Sequence, residues 1–319
     1  MSITITGGFT STGGGFTLVA APTGNTAGWY EGGYSAAGSP REESLVDRIT
    51  YATDTATATV RGPLSIGRLA AAGTGTTTYG WVGGGSTGAG SVSLVDRITY
   101  ATDTATATAR GPLSINKTIL AATGNTTNGY FGGGFNPNTS IVQRITYATD
   151  TNTATVVGPL SLARRSLAAT TSDTDGYFAG GFGPLSTVDR ITYATDTATA
   201  SVRGSLSTAM EGLAASTDGT TYGWFVGGGY PISSIVQRIT YANDTVVLSV
   251  RGPLSEVRDS MSGTGNTTDG WFGGGSVSGN PYTSIVDRIT YATDTATATT
   301  KGPLSLARFQ LAGTSGTGS

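Results

Sequence analysis

Between Val188 and Val202 the side chains alternate with a period of two, not 3.6. In the first run Asp189, Ile191 and Tyr193 share one face, while Val188, Arg190 and Thr192 share the other. Neither face is uniformly polar, which predicts a sheet covered on both sides by neighbouring sheets. After a turn at Thr195-Asp196-Thr197, Thr199 and Ser201 fall on one side and Ala198, Ala200 and Val202 on the other. A Thr-rich strand that ends in an arginine and a glycine is a poor template for further pairing, so this run is expected to lie outermost. No window shows helical spacing, and the chain is read as all-β.

The same pattern is written six times. Its arginine recurs at Arg48, Arg97, Arg144, Arg190, Arg238 and Arg288, at spacings of 46 to 50 residues. A period of this length points to propellers or solenoids. The fourth unit resolves into segment A (Ser166 to Thr170), segment B (Tyr177 to Gly181), segment C (Thr187 to Ala194) and segment D (Ala198 to Arg203). Four short strands separated by turn residues match one propeller blade. Residues 1–15 read as an N-terminal arm or linker, and residues 16–319 as one propeller with no composition break. There are six B-C-D sets but seven A-like segments, the first at Phe16 to Ala21 and the last at Phe309 to Thr314. The expectation is six blades, with the terminal A segments competing for or sharing the closure of the first. The spare segment is then free to pair with another subunit's edge.

This arrangement resembles a kelch-type β-propeller. The residues that carry the likeness are Arg164 or Arg165, Leu167-Ala168-Ala169, Tyr177-Phe178, Gly180-Gly181, Val188-Asp189-Arg190-Ile191 and Thr195-Asp196-Thr197. Where kelch repeats place Tyr in strand C and Trp in strand D, this chain has Ile and Ala, which predicts smaller side chains between blades. The near-identical Thr/Ala-rich repeats are similar to kelch-like propellers in structural proteins of tailed phages, particularly of marine bacteria. That likeness implies a non-enzymatic virion component, on a tail, nozzle or capsid surface. It would act through contacts with other virion proteins, in several symmetry-related copies, and at the host surface. The alternative is a carbohydrate-binding, lectin-like adhesin that takes host surface glycans.

Composition narrows the chemistry. Charged residues are 12% of the chain, the net charge is −2, and there is no basic run, so nucleic acid is not an expected partner. There is neither Cys nor His, which removes thiolate and imidazole metal ligands and the usual general base near neutral pH. No cofactor and no enzymatic activity are expected. Kelch-like copper oxidases need His ligands and a Tyr-Cys crosslink, and the Ser-x-Asp-x-Gly-x-Thr-Trp box of six-bladed sialidases is not matched. The N-terminus lacks the pattern of a secretory signal, and no run is apolar enough to span a bilayer, so the expected location is the virion without membrane insertion.

Repeated residues are read as serving the blade. The six arginines tie neighbouring blades through carbonyls or acids. The aromatic pairs, such as Trp29-Tyr30 and Tyr177-Phe178, are core. The turn aspartates (Asp54, Asp103, Asp150, Asp196, Asp244, Asp294) hydrogen-bond their own backbone. The glycine clusters permit close backbone approach near the axis. What differs between units is the B–C loop, and loops on a rigid scaffold carry recognition. Its bulky members, Tyr34, Arg41, Phe135, Phe182, Tyr230 and Tyr282, are the candidate contact surface. The alternative for these residues is local packing of drifting loops.

Overall fold

A computed structural model describes residues 9–12, 15–18, 26–36, 41–278 and 282–315. It is a six-bladed β-propeller, each blade a four-stranded antiparallel sheet. In blade 4, strand A (Ala168–Thr171), strand B (Asp175–Ala179), strand C (Val188–Thr192) and strand D (Ser201–Val202) follow in sequence order. The A strands touch one another in a closed cycle around the axis, and the short D strands form the outer rim. Val60, Val156, Val202 and Val250 of the D strands are exposed there.

Strand boundaries differ from the sequence reading where the backbone leaves extended geometry. Strand A starts at Ala168 because Ser166 has φ 60°. Strand C stops at Thr192, where Tyr193–Thr195 coil into a 3-10 turn closed by Asp196.

The ring closes with the C-terminal A segment. Ala312–Ser315 pairs antiparallel with Ala27–Glu31, so blade 1 takes three strands from the start of the chain and its inner strand from the end. The spare N-terminal copy pairs inside its own chain, with Gly15–Leu18 against Phe9–Thr12. Val19–Ala21 of that copy lie outside the described residues.

The two faces of strand C go to two different neighbours. Tyr177 sits opposite Arg190 in the ladder, and both look toward blade 5. Ile191 and Tyr193 look back toward blade 3. The aromatic that opens each B-strand pair stacks on the tyrosine ending strand C of the next blade, with ring centroids 3.8–5.0 Å apart: Trp29 on Tyr100, Trp81 on Tyr147, Tyr130 on Tyr193, Tyr177 on Tyr241, Trp224 on Tyr291, Trp271 on Tyr51. The expectation of small side chains between blades is therefore corrected. Strand D does bring alanine (Ala58, Ala107, Ala154, Ala200, Ala298), but the tyrosine after strand C supplies the missing ring. Burial pushes these phenols up in pKa, so they stay neutral and bond threonines of the inner strands, as Tyr147 does with Thr74 and Tyr241 with Thr170.

The turn aspartates do something other than close their own turn. Each presents Oδ2 to the preceding blade. Asp103, Asp150, Asp196, Asp244, Asp294 and Asp54 take Nη1 of Arg48, Arg97, Arg144, Arg190, Arg238 and Arg288 at 2.6–3.1 Å. The stacked Trp or Tyr of that same blade donates to the same oxygen at 2.9–3.2 Å. In four interfaces a strand-D arginine adds its Nε at 3.4–3.5 Å, and in the closing one Lys301 reaches Asp54. Val157 stands at that position in blade 3, so Asp196 has one cation fewer.

A second set of ion pairs lies inside four of the six blades. Asp47, Asp96, Asp189 and Asp287 of strand C pair with Arg308, Arg68, Arg164 and Arg258, all eight side chains at 0–1% exposure. In the other two blades strand C has Gln143 and Gln237, and the arginine is replaced by Lys117 and Met210. Where Asp189 accepts the N–H of Ser161, the Gln Oε1 accepts the hydroxyl of the equivalent serine, Ser114 or Ser207, and the N–H of the residue after it, Ile115 or Thr208. In blade 5 charge and counter-charge are thus lost together, whereas in blade 3 the cation stays as Lys117, whose Nζ donates to the carbonyls of Asn136 and Pro137 in place of a carboxylate.

This exchange predicts that Asp189→Gln alone lowers folding stability by about 3–5 kcal/mol by stranding the Arg164 cation. The double variant Arg164→Met with Asp189→Gln, which copies blade 5, should recover most of that loss, as read by urea denaturation of both proteins.

Blade 1 carries one further buried acid. Glu31, at the end of strand B, accepts a 2.6 Å hydrogen bond from the Thr314 hydroxyl of the closing strand, and its Oε2 is buried without a partner. Burial pushes its carboxyl from 4.5 up to about 8, against the opposing pull of the Thr314 bond, Arg308 and Arg68. Its charge in turn helps to raise the buried phenols of Tyr30 and Tyr100. A carboxyl raised on folding stabilises the protonated fold. That stability is complete below about 4.5 and is lost as pH rises to about 8. Thermal melts between those limits should show the midpoint falling with pH, and Glu31→Gln should flatten the fall. An unchanged slope in the variant would remove Glu31 as its cause.

Candidate functional site

Strand A runs from one mouth of the axis to the other, so the B–C loops and the segments entering strand A share one face. At that mouth six successive residues, Ala70, Ile119, Ser166, Gly212, Ser260 and Gln310, all take φ of 53–63°. Each donates its N–H to the carbonyl of its counterpart in the preceding blade, from Ala70 to Gln310 and on round to Gln310 to Ser260, at 2.8–3.1 Å. A left-handed non-glycine residue costs roughly 1–2 kcal/mol, and the closed belt of six bonds holds five of them in place. The belt rims a narrow axial channel of about 120 Å3 lined by the small residues of the A strands.

The glycine doublets belong to this face rather than to the axis. Their second members, such as Gly85 and Gly181, have φ of 101° and 144° and donate N–H to the carbonyls of Lys117 and Met210 at the start of the next blade. Close approach at the axis comes instead from Gly73 and Gly313. A Cβ on Gly73 would lie 2.3 Å from the Gly313 carbonyl oxygen.

Just before each belt residue stands the position least alike among the units: Leu69, Thr118, Arg165, Glu211, Asp259 and Phe309. Each sits against a B–C loop, as the bridges Leu69 to Ser86, Thr118 to Phe135, Glu211 to Gly229 and Asp259 to Ser276 show. This second variable ring was missed from sequence. It was findable, because within nearly identical repeats this position carries six different residues.

The structure gathers five of the six loop candidates into two groups. Arg165 lies between Phe135 and Phe182, its guanidinium carbon 4.8 and 3.6 Å from the ring centres, and the two rings are 42% and 48% exposed. Across the ring, at the chain closure, Tyr282 stacks on Phe309 at 4.9 Å, and Tyr34 meets both edge-on at 5.8–5.9 Å. Arg41 Nη1 donates to the Tyr34 hydroxyl at 3.3 Å. Tyr230 joins neither group and is 73% exposed. Between the groups lie Glu211, whose Oε2 accepts the Gly183 N–H at 2.9 Å, and Asp259, whose carboxyl is pushed up by burial and by Glu211 beside it.

The opposite mouth is wider, about 750 Å3, and is lined by the A–B turns: Thr76, Thr77, Thr78, Asn125, Thr126, Ser172 and Asp173, with Tyr79 and Tyr147.

No family model matches the chain, and no curated protein matches it in sequence. Among the described residues no helix is long and apolar enough to cross a membrane.

If the repeated residues hold the ring and the variable ones do not, stability should separate them. Asp244→Ala removes the acceptor of Arg190, Arg203 and Tyr177 and should cost about 3 kcal/mol. Arg165→Ala and Tyr230→Ala should each stay within about 0.5 kcal/mol of the parent chain. Denaturant midpoints of the three variants decide the matter.

Proposed function

We propose that this chain is a non-enzymatic interaction module, a kelch-like propeller held in a phage virion and making protein contacts through its B–C loop face. One observation carries the reading. The side chains that repeat are consumed between and within blades, and those that change from blade to blade collect on a single face. A rigid closed ring that varies on one face is suited to presenting a surface. The virion placement rests on the repeat style and on a composition poor in charge and devoid of Cys and His.

A specific feature favours the carbohydrate-binding alternative as a second reading. The wide axial mouth sets the hydroxyls of Thr76, Thr77, Thr78, Thr126 and Ser172 and the Asn125 amide beside two tyrosines, a mixture of polar and aromatic groups that can hold a sugar.

Immunogold labelling of purified virions with antibody against the full chain should decorate symmetry-related positions. Unlabelled virions would overturn the placement. On a glycan array the chain should bind nothing. Reproducible sugar binding lost in Asn125→Ala and Asp173→Ala would instead establish the second reading.

A further inference from the structure

We infer that Arg165, held between Phe135 and Phe182, is an anchor for a carboxylate of a partner polypeptide, an Asp or Glu with an apolar side chain beside it. This rests on the reading of the B–C loop face as the contact surface and names the chemistry that face selects.

The arginines of this chain are otherwise spoken for. Among the described residues each one is ion-paired to a carboxylate except Arg41 and Arg165. Both exceptions lie on the variable face, and both lie against aromatic rings. Arg41 is fully solvated, whereas Arg165 is partly buried and held from two sides. Its Nη1 donates to Asn138 Oδ1 at 3.0 Å, which leaves further N–H groups of the guanidinium for a ligand. Glu211, on the next connection round the ring, does not neutralise it, because its carboxylate is turned onto the Gly183 backbone.

Contact with two rings and the bond to Asn138 restrict the guanidinium and shield part of it from water, so a carboxylate meets donors whose position is already limited. Exposed aromatic rings beside an arginine have the composition of an interface anchor. The geometry also chooses between an acidic peptide and an acidic sugar. The Phe182 face turned to Arg165 is taken up by the guanidinium at 3.6 Å, so a pyranose cannot stack on the ring face beside the charge, whereas an apolar side chain next to a carboxylate can pack against the exposed parts of both rings.

The test is selection of a random linear peptide library on the immobilised full chain, followed by affinity measurement of the enriched peptides on variants whose thermal midpoints match the parent. Enriched peptides should place Asp or Glu next to an apolar residue. Their affinity should fall about tenfold or more in Arg165→Ala, further in Arg165→Glu, and less in Arg165→Lys, and should weaken with added salt. No enrichment, enriched peptides without an acid, or equal binding to Arg165→Glu would each overturn the inference. So would Arg165-dependent binding of uronic-acid or sialylated oligosaccharides on an array, which would give the site to an acidic glycan. Peptides lost on Tyr230→Ala but indifferent to Arg165→Ala would overturn this anchor while leaving the face as the contact surface. Arg165-dependent peptide binding by a chain missing from virions would uphold the anchor and remove the virion placement.

Discussion

A carboxylate taken out of water must find donors, and here every turn aspartate finds them in the blade before it. Asp244 illustrates the arrangement, with Arg190 at 2.9 Å, Arg203 at 3.4 Å and the Tyr177 hydroxyl at 3.2 Å converging on one oxygen. The neighbouring backbone takes part as well, since Gly204 donates its N–H to the Asp244 carbonyl at 2.7 Å. A single blade therefore exposes an unpaired buried acid on one side and unpaired cations on the other. Docking the blades satisfies both at once, and only closing the ring satisfies all six. The stacked rings and the axial belt of left-handed residues add to an assembly whose ends are already committed to each other.

Much of this could be read before any coordinates. Alternation along Val188 to Thr192 separates the face that meets blade 5 from the face that meets blade 3, and the Thr-rich segment after the turn is the outer strand. The aromatic pairs are core, as their place before the glycines implies. What the sequence did not disclose was pairing across a distance. Asp196 in a Thr-Asp-Thr turn is an ordinary local motif, and nothing nearby in the chain announces that Arg144, 52 residues earlier, is its partner. The substitutions themselves held a clue, since Gln143 travels with Lys117 and Gln237 with Met210. Strand ends were misplaced for a backbone reason: Ser166 takes a left-handed conformation that its own chemistry does not call for and that the hydrogen bond to Ile119 imposes.

The candidate surface was legible in outline and illegible in its grouping. Loop length and bulk single out Phe135 and Phe182, but they lie in different blades, and only the ring brings both against one guanidinium. Arg165 was noticed as a member of an arginine pair and then absorbed into the repeat. In the structure Arg164 and Arg165 have opposite fates. Arg164 is buried on Asp189, and Arg165 is turned to the face with no acid. The chain bends at Arg165, just before the left-handed Ser166, so one position serves the blade and the next is released from it.

This release explains where variation can accumulate. A residue between blades is constrained by two neighbours, and a change there propagates round a closed ring in which every interface is shared. The interfaces nearest Arg165 already show such a change. Val157 replaces the second cation, and Tyr130 and Tyr177 replace tryptophan, with stacking distances of 4.9 and 5.0 Å against 3.8–4.0 Å elsewhere. Blades 3 to 5 are thus joined by smaller aromatic contacts than the rest, including the contact of blade 6 with blade 1, where Trp271, Arg288 and Lys301 all reach Asp54. Blade 1 draws its inner strand from one end of the chain and its other three from the other, held together only by the ladder between Ala312–Ser315 and Ala27–Glu31. It keeps a tryptophan and two cations at both of its interfaces, with blade 6 and with blade 2. The smaller rings fall instead on the two sides of blade 4, whose four strands come from one continuous segment.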